Sequence, residues 1–129
     1  MSQQDFVRAA ALMDELYSDL RHAGLHFLLP DVLHLKERAL LKQSLTSAEE
    51  ACETLGRARA EAEALGSRRS LWPILVTLSE LERQCGHQTE AEALRKRAGE
   101  IVAYIAQHIT SLELRTSFLN STQFYPQIP

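Results

Sequence analysis

Glycine and proline are scarce here, five and four among 129 residues, and Val and Ile are few beside Ala, Leu, Glu and Arg. Long stretches are therefore free of chain breakers and rich in good helix formers, which points to an all-α chain. Cysteine is scarce too: Cys52 and Cys85 form no spaced framework, so a disulfide scaffold or Cys-based metal site is excluded and both read as small buried thiols. Positive charge is not in excess. A net charge of −3 and a pI near 5.9 give no field that would hold a polyanion, so nucleic acid is not an expected partner. No apolar run approaches the length of a membrane span, and MSQQDFVRAA lacks a basic segment followed by an apolar one, so a cytoplasmic protein without a membrane partner is expected.

Chemical motifs are missing as well. The sequence holds no Gly-rich phosphate loop, HExxH, CxxC or nucleophile elbow, so neither an enzyme nor a cofactor is expected. His22 and His26 are four apart, but Gly24 between them ends a helix, so they do not share a face for a metal. His34 and His108 read as solvated or groove-lining, and His87 as a turn residue. Glu49, Glu50 and Glu53 suit the first turns of a helix, where the dipole favours negative charge, and nothing in their spacing encloses the desolvated cleft that a catalytic acid pair needs.

What is present is helical periodicity. From Ser70 the chain reads SLWPILVTLSELERQCGHQTEAEALRKRAGEIVAYIAQHI. Leu71, Ile74, Leu75, Leu78, Leu81 and Cys85 form one three-four stripe. Ala91, Leu94, Ala98, Ile101, Val102, Ile105 and Ile109 form another, and Gly86 breaks the two apart. The pattern predicts an antiparallel hairpin. Upstream, a first helix over about 5–23 carries Phe6, Ala9, Ala10, Met13, Leu16, Tyr17 and Leu20 and stops at Gly24. After an apolar connector over 25–29, Pro30 opens a second helix that runs to about Gln43, with Val32, Leu33, Leu35, Ala39 and Leu40 apolar. A turn over 44–47 precedes a third helix over about 47–65, with Ala51, Cys52, Leu55, Ala58, Ala62 and Leu65 on one face and Gly56 inside. Thr110 or Ser111 caps a short sixth helix with Leu112, Leu114, Phe118 and Leu119 available for packing. The expected domain is 1–119, with an irregular tail over 120–129.

Shifting the sequence by 43 residues lays Pro30 on Pro73, Val32 on Leu75, Leu35 on Leu78, Glu37 on Glu80, Thr46 on Thr89 and Ala48 on Ala91. A shift of 42 lays Gly24 on Gly66 together with the apolar stripes before them. A period of this size implies stacked helix pairs.

Residues 78–98 resemble a tetratricopeptide repeat. Leu78 and Ser79 take the Leu-small pair of its first helix, Gly86 the turn, and Ala91 and Ala98 the two alanines of its second helix, while Glu82 and Arg95 stand where the family has aromatics. The segment from Ala64 to Ile109 followed by LELRTSFL is also similar to the final repeats of large bacterial multidomain regulators. The resemblance implies a TPR-like right-handed superhelix of antiparallel hairpins. It also implies a scaffold for protein or peptide partners, in signalling or transcription regulation. In that family the first helix of each pair lines the concave face, which places Leu33, His34, Glu37 and Leu41, and Val76, Thr77, Glu80, Arg83 and Gln84, at a groove. The competing readings are a small-molecule sensor with a closed pocket, or a purely structural stacking segment. Two basic clusters, Arg68 with Arg69 and Arg95 to Arg97, read as solvated or helix-paired charge, or as contacts for an acidic peptide. With so few repeats, the first helix is expected to find cover in a homodimer through Phe6, Met13 or Tyr17.

Overall fold

The computed structural model describes residues 3–42, 44 and 46–122, excepting the side chains of Gln3 and Phe6. It contains α1 (Gln3–His22), α2 (Leu29–Lys42), α3 (Ala48–Leu65), α4 (Arg68–Gln84), α5 (Gln88–Gln107) and α6 (Leu112–Thr122), with a 3₁₀ turn at His26–Leu28 between α1 and α2. No strand occurs among the described residues, and no helix there is long and apolar enough to cross a membrane.

Helix ends follow from local chemistry. Gly66 closes α3 at φ 66°, a left-handed conformation that would strain a residue with a Cβ. Its N–H donates to the Glu63 carbonyl at 3.0 Å, and the Ser67 N–H donates to Ala62 at 3.0 Å, so two carbonyls left over by the helix find partners. Gly24 and Gly86 close α1 and α4 with the same pair of bonds. At the other end, the Ser47 hydroxyl accepts the Glu50 N–H at 3.1 Å and caps α3. Ser111, rather than Thr110, caps α6 by accepting the Leu114 N–H at 3.3 Å. Helix α4 starts at Arg68. Pro73 then falls in the second turn, and the helix continues through it.

The chain divides into two compact units between Ser67 and Arg68. In the first, α1 packs on α2 and α2 on α3. Its buried apolar residues are mostly small: Ala10, Ala51, Ala58 and Ala62, beside Leu29, Leu33 and Leu55. Lys36 Nζ joins α2 to Asp14 of α1 at 2.7 Å. In the second unit α4 packs on α5 and α5 on α6, and the buried set is larger in volume: Leu71, Trp72, Ile74, Leu75, Leu78 and Leu81 on α4, with Leu94, Ile101 and Val102 on α5. Trp72 meets Phe118 edge-on, ring centroids 6.3 Å apart.

Several details differ from the sequence-based expectations. Leu16, Leu35 and Leu65 are exposed although their phase suggested an inward stripe, and so are Leu112, Leu114 and Leu119. On α1 and α3 smaller residues, Ala10 and Ala62, take buried positions instead, and on α2 Leu35 lies away from the buried Leu33, His34 and Glu37. Cys52 and Cys85 form no disulfide and are half-buried rather than fully buried. Gly56 lies in an exposed part of α3, and a Cβ there would meet nothing within 4 Å, so no close helix crossing requires it. Helix α6 includes Asn120, Ser121 and Thr122, which the expected tail had claimed, and the rest of that tail, 123–129, lies outside the described residues, as does the expected helix end at Gln43.

Candidate interaction surface

The hairpin of α4 and α5 places small side chains where the two helices approach. Ser79, Ala91 and Ala98 are all buried, and the Ser79 hydroxyl donates to the Ala91 carbonyl at 2.8 Å. A hydroxyl at that crossing satisfies itself on the opposite backbone, which a bulkier residue could not do without pushing the helices apart. Most of the circumference of α4 is thereby buried. What it leaves toward solvent is a polar strip: half-buried Thr77 and Glu80, and exposed Arg83 and Gln84. Glu80 and Arg83 pair at 3.2 Å, and the Thr77 hydroxyl donates to the Pro73 carbonyl at 3.2 Å.

Beside this strip, Ser79, Arg83, Gln88, Ala91, Glu92 and Arg95 line a cleft of about 150 Å³. That is below the several hundred Å³ of a drug-sized site and admits one side chain or a small ion. Its walls carry the Arg95 guanidinium and that of Arg83, which also pairs with Glu80, beside the Glu92 carboxylate. Of these residues the sequence places Arg83 at the groove and offers Arg95 as paired charge or a contact for an acidic peptide; it does not single out Gln88, nor bring Arg83 and Arg95 to one cleft. The spacing of Arg95 four residues beyond Ala91 was the available signal.

The remaining groove candidates are placed differently. Val76 is buried on α4, and Leu33, His34 and Glu37 are buried on α2. These four are core side chains and do not face solvent, which corrects their placement on an open groove. Leu41 is half-buried. The physical reason is that α2 packs on both α1 and α3, so its inward arc is wide enough to take in His34 and Glu37. Only 7% of His34 and 4% of Glu37 remain exposed. Burial, aided by the Arg38 guanidinium, lowers the His34 pKa from 6.5 to about 4, against a smaller opposing pull from Asp31. Burial likewise raises Glu37 above the ordinary carboxylate range, against Lys36 and a hydrogen bond from Thr54. Its Oε2 has no hydrogen-bond partner among the described residues.

The first unit holds a second polar cluster. The Tyr17 hydroxyl donates to Glu61 Oε1 across α1 and α3, and burial together with that carboxylate raises the phenol pKa. Arg21, His26, Leu29, Glu61, Ala64 and Leu65 line an open cleft of about 250 Å³ next to it. Elsewhere histidines serve local roles: His22 and His108 donate to carbonyls of Ser18 and Tyr104 at 2.8 Å, and His87 donates to Glu82 at 2.7 Å. Arg68 lies over the Tyr104 ring at 4.0 Å, and Arg97 reaches Glu100 at 3.9 Å, so those basic residues have partners within their own unit. No group of His, Cys, Asp and Glu suited to a metal occurs among the described residues.

Among its described residues, then, this is an all-α chain of packed hairpins carrying a polar strip on α4. Comparison with protein-family models, with curated proteins and with solved structures gives no match.

Proposed function

We propose that the chain is a cytoplasmic protein-interaction module of the TPR-like kind, a scaffold that serves signalling or transcription regulation and takes a peptide or protein partner on the strip of Thr77, Glu80, Arg83 and Gln84. The observation that carries this reading is the α4–α5 crossing, where Ser79 bonds Ala91 and Ala98 is fully buried. The small residues quoted for the resemblance are the ones that permit close approach of the two helices. Close approach leaves α4 with one narrow polar face, and the adjoining cleft sets Arg83 and Arg95 beside it. The test is affinity capture from the native cell with the wild-type chain and with Glu80→Arg and Arg83→Glu. Partners held by the wild type should be lost from both variants and regained in part by the double reversal. Unchanged recovery from both single variants would remove the α4 strip from the interaction.

A further inference from the structure

The outer side of α1 carries Arg8, Leu12, Glu15, Leu16 and Asp19 at three- and four-residue spacing, so they form one stripe along the helix. Leu12 and Leu16 are 57% and 47% exposed, high for leucines that sit one turn apart in the middle of a helix. The apolar surface continues sideways. Met13 stands three residues before Leu16, and with Leu35, Arg38, Ala39 and Lys42 of α2 it lines an open cleft of about 290 Å³ in which Leu35 is 56% exposed.

Arg8 lies in the N-terminal half of the stripe, three residues after Asp5, and Asp19 in the C-terminal half, three residues before His22, with the leucines between. The connector between His22 and Leu29 is short, α2 packs on α1, and Lys36 pairs with Asp14 midway along it, so α2 runs back along α1 and Arg38 and Lys42 flank the half that holds Arg8. Asp19 is in the other half, and Glu15 stands near the middle, between the two leucines. None of Arg8, Glu15, Asp19, Arg38 and Lys42 has an ion-pair partner among the described residues.

We propose that this face is the interface of a homodimer, in which α1 of one copy lies antiparallel on α1 of the other about a two-fold axis. Reversal of the helix sets Arg8 against the second copy's Asp19 and Leu12 against its Leu16. Both pairings centre within a residue of Asp14, so one register satisfies them together. Symmetry makes each contact twice, so Asp19 of each copy meets Arg8 of the other, which Arg38 and Lys42 flank, while Glu15 lies beside the axis. A parallel arrangement would set Arg8 on Arg8 and Asp19 on Asp19. The surface is thus complementary to itself in one orientation only, which is the ground for naming a second copy rather than a foreign chain as its occupant. This interface is separate from the α4 strip, and either can fail without the other.

The test is sedimentation velocity on the full chain from low to high micromolar concentration. The mass of the wild type should rise toward twice that of the chain. Arg8→Asp and Asp19→Arg should each raise the dissociation constant by about tenfold or more, since each places like charges together twice. Mixing the two variants should restore dimers, because both contacts then join opposite charges, and the double variant should dimerise by itself. Both sites are exposed, and circular dichroism of each variant checks that its helices remain. A wild type that stays monomeric over the whole range, which would leave the face to a foreign partner, overturns the proposal. So does a mixture that associates no better than its components.

Discussion

The two units are built from similar hairpins but bury different material. In the second unit α4 and α5 interlock long aliphatic side chains and Trp72. In the first, alanines occupy the centre of α3's inward face, a histidine and a glutamate lie between them and α2, and Leu12, Leu16 and Leu35 remain outside. Apolar burial contributes roughly 25 cal/mol per Å², so an alanine-lined contact gives each helix less than a leucine-lined one. Burying His34 and Glu37 costs further, since both must give up charge or leave it poorly compensated. The second unit is therefore the firmer half of the chain, and the first is where association or a change of pH has most effect.

Four changes would break or sharpen this contrast. Ile74→Ala, at a fully buried position of α4, should cost about 3–4 kcal/mol, read from the shift of the unfolding transition followed by fluorescence of Trp72, the one tryptophan of the chain. The next effect concerns pH. His34 is held below its ordinary value, so the unfolded chain binds a proton that the folded chain refuses between pH 6.5 and about 4. Stability from this group is complete above 6.5 and falls on acidification through that window, by on the order of 3 kcal/mol. Amide exchange should show the loss in α2 and α3 while α4 and α5 keep their protection, and His34→Gln should flatten the profile.

Glu37 works with the opposite sign. Its folded pKa is raised, so the folded state loses stability as pH climbs above the ordinary 4.5 and the unfolded chain ionises first. Glu37→Gln removes that loss, keeps a group for Thr54, and should slow exchange in α2 at neutral pH, by less than the His34 effect. The smallest effect is Gly56→Ala, which should stabilise α3 by about 0.5–1 kcal/mol, since a methyl group there meets nothing and the helix loses less chain entropy on forming. A destabilised Gly56→Ala protein would mean that this part of α3 is covered after all.

Helix positions were legible because the stop signals are chemical and local: Gly24, Gly66 and Gly86 end helices as read, and Ser47 caps one. The inward stripes of α4 and α5 were legible for a related reason, being dense and of one period. Periodicity was less informative on α1 and α2. There alanine and leucine share the arc, and spacing alone does not say that Ala10 is central while Leu16 is outside. Nor did it show that His34 and Glu37 face inward, because a polar residue within a stripe looks the same whether it is buried or lines a groove. The split between Ser67 and Arg68 had no composition change to mark it. The cleft at Arg83 and Arg95 needs two helices in register, which one helix's pattern cannot supply.

Amide hydrogen exchange measured at two chain concentrations tests the contrast between the units most directly. At the lower concentration, α4 and α5 should be the slowest-exchanging segments and α1 among the fastest. At the higher one, α1 and, to a smaller extent, α2 should gain protection, while α4 and α5 stay unchanged. Equal protection of α1 and α4 at both concentrations would contradict the account.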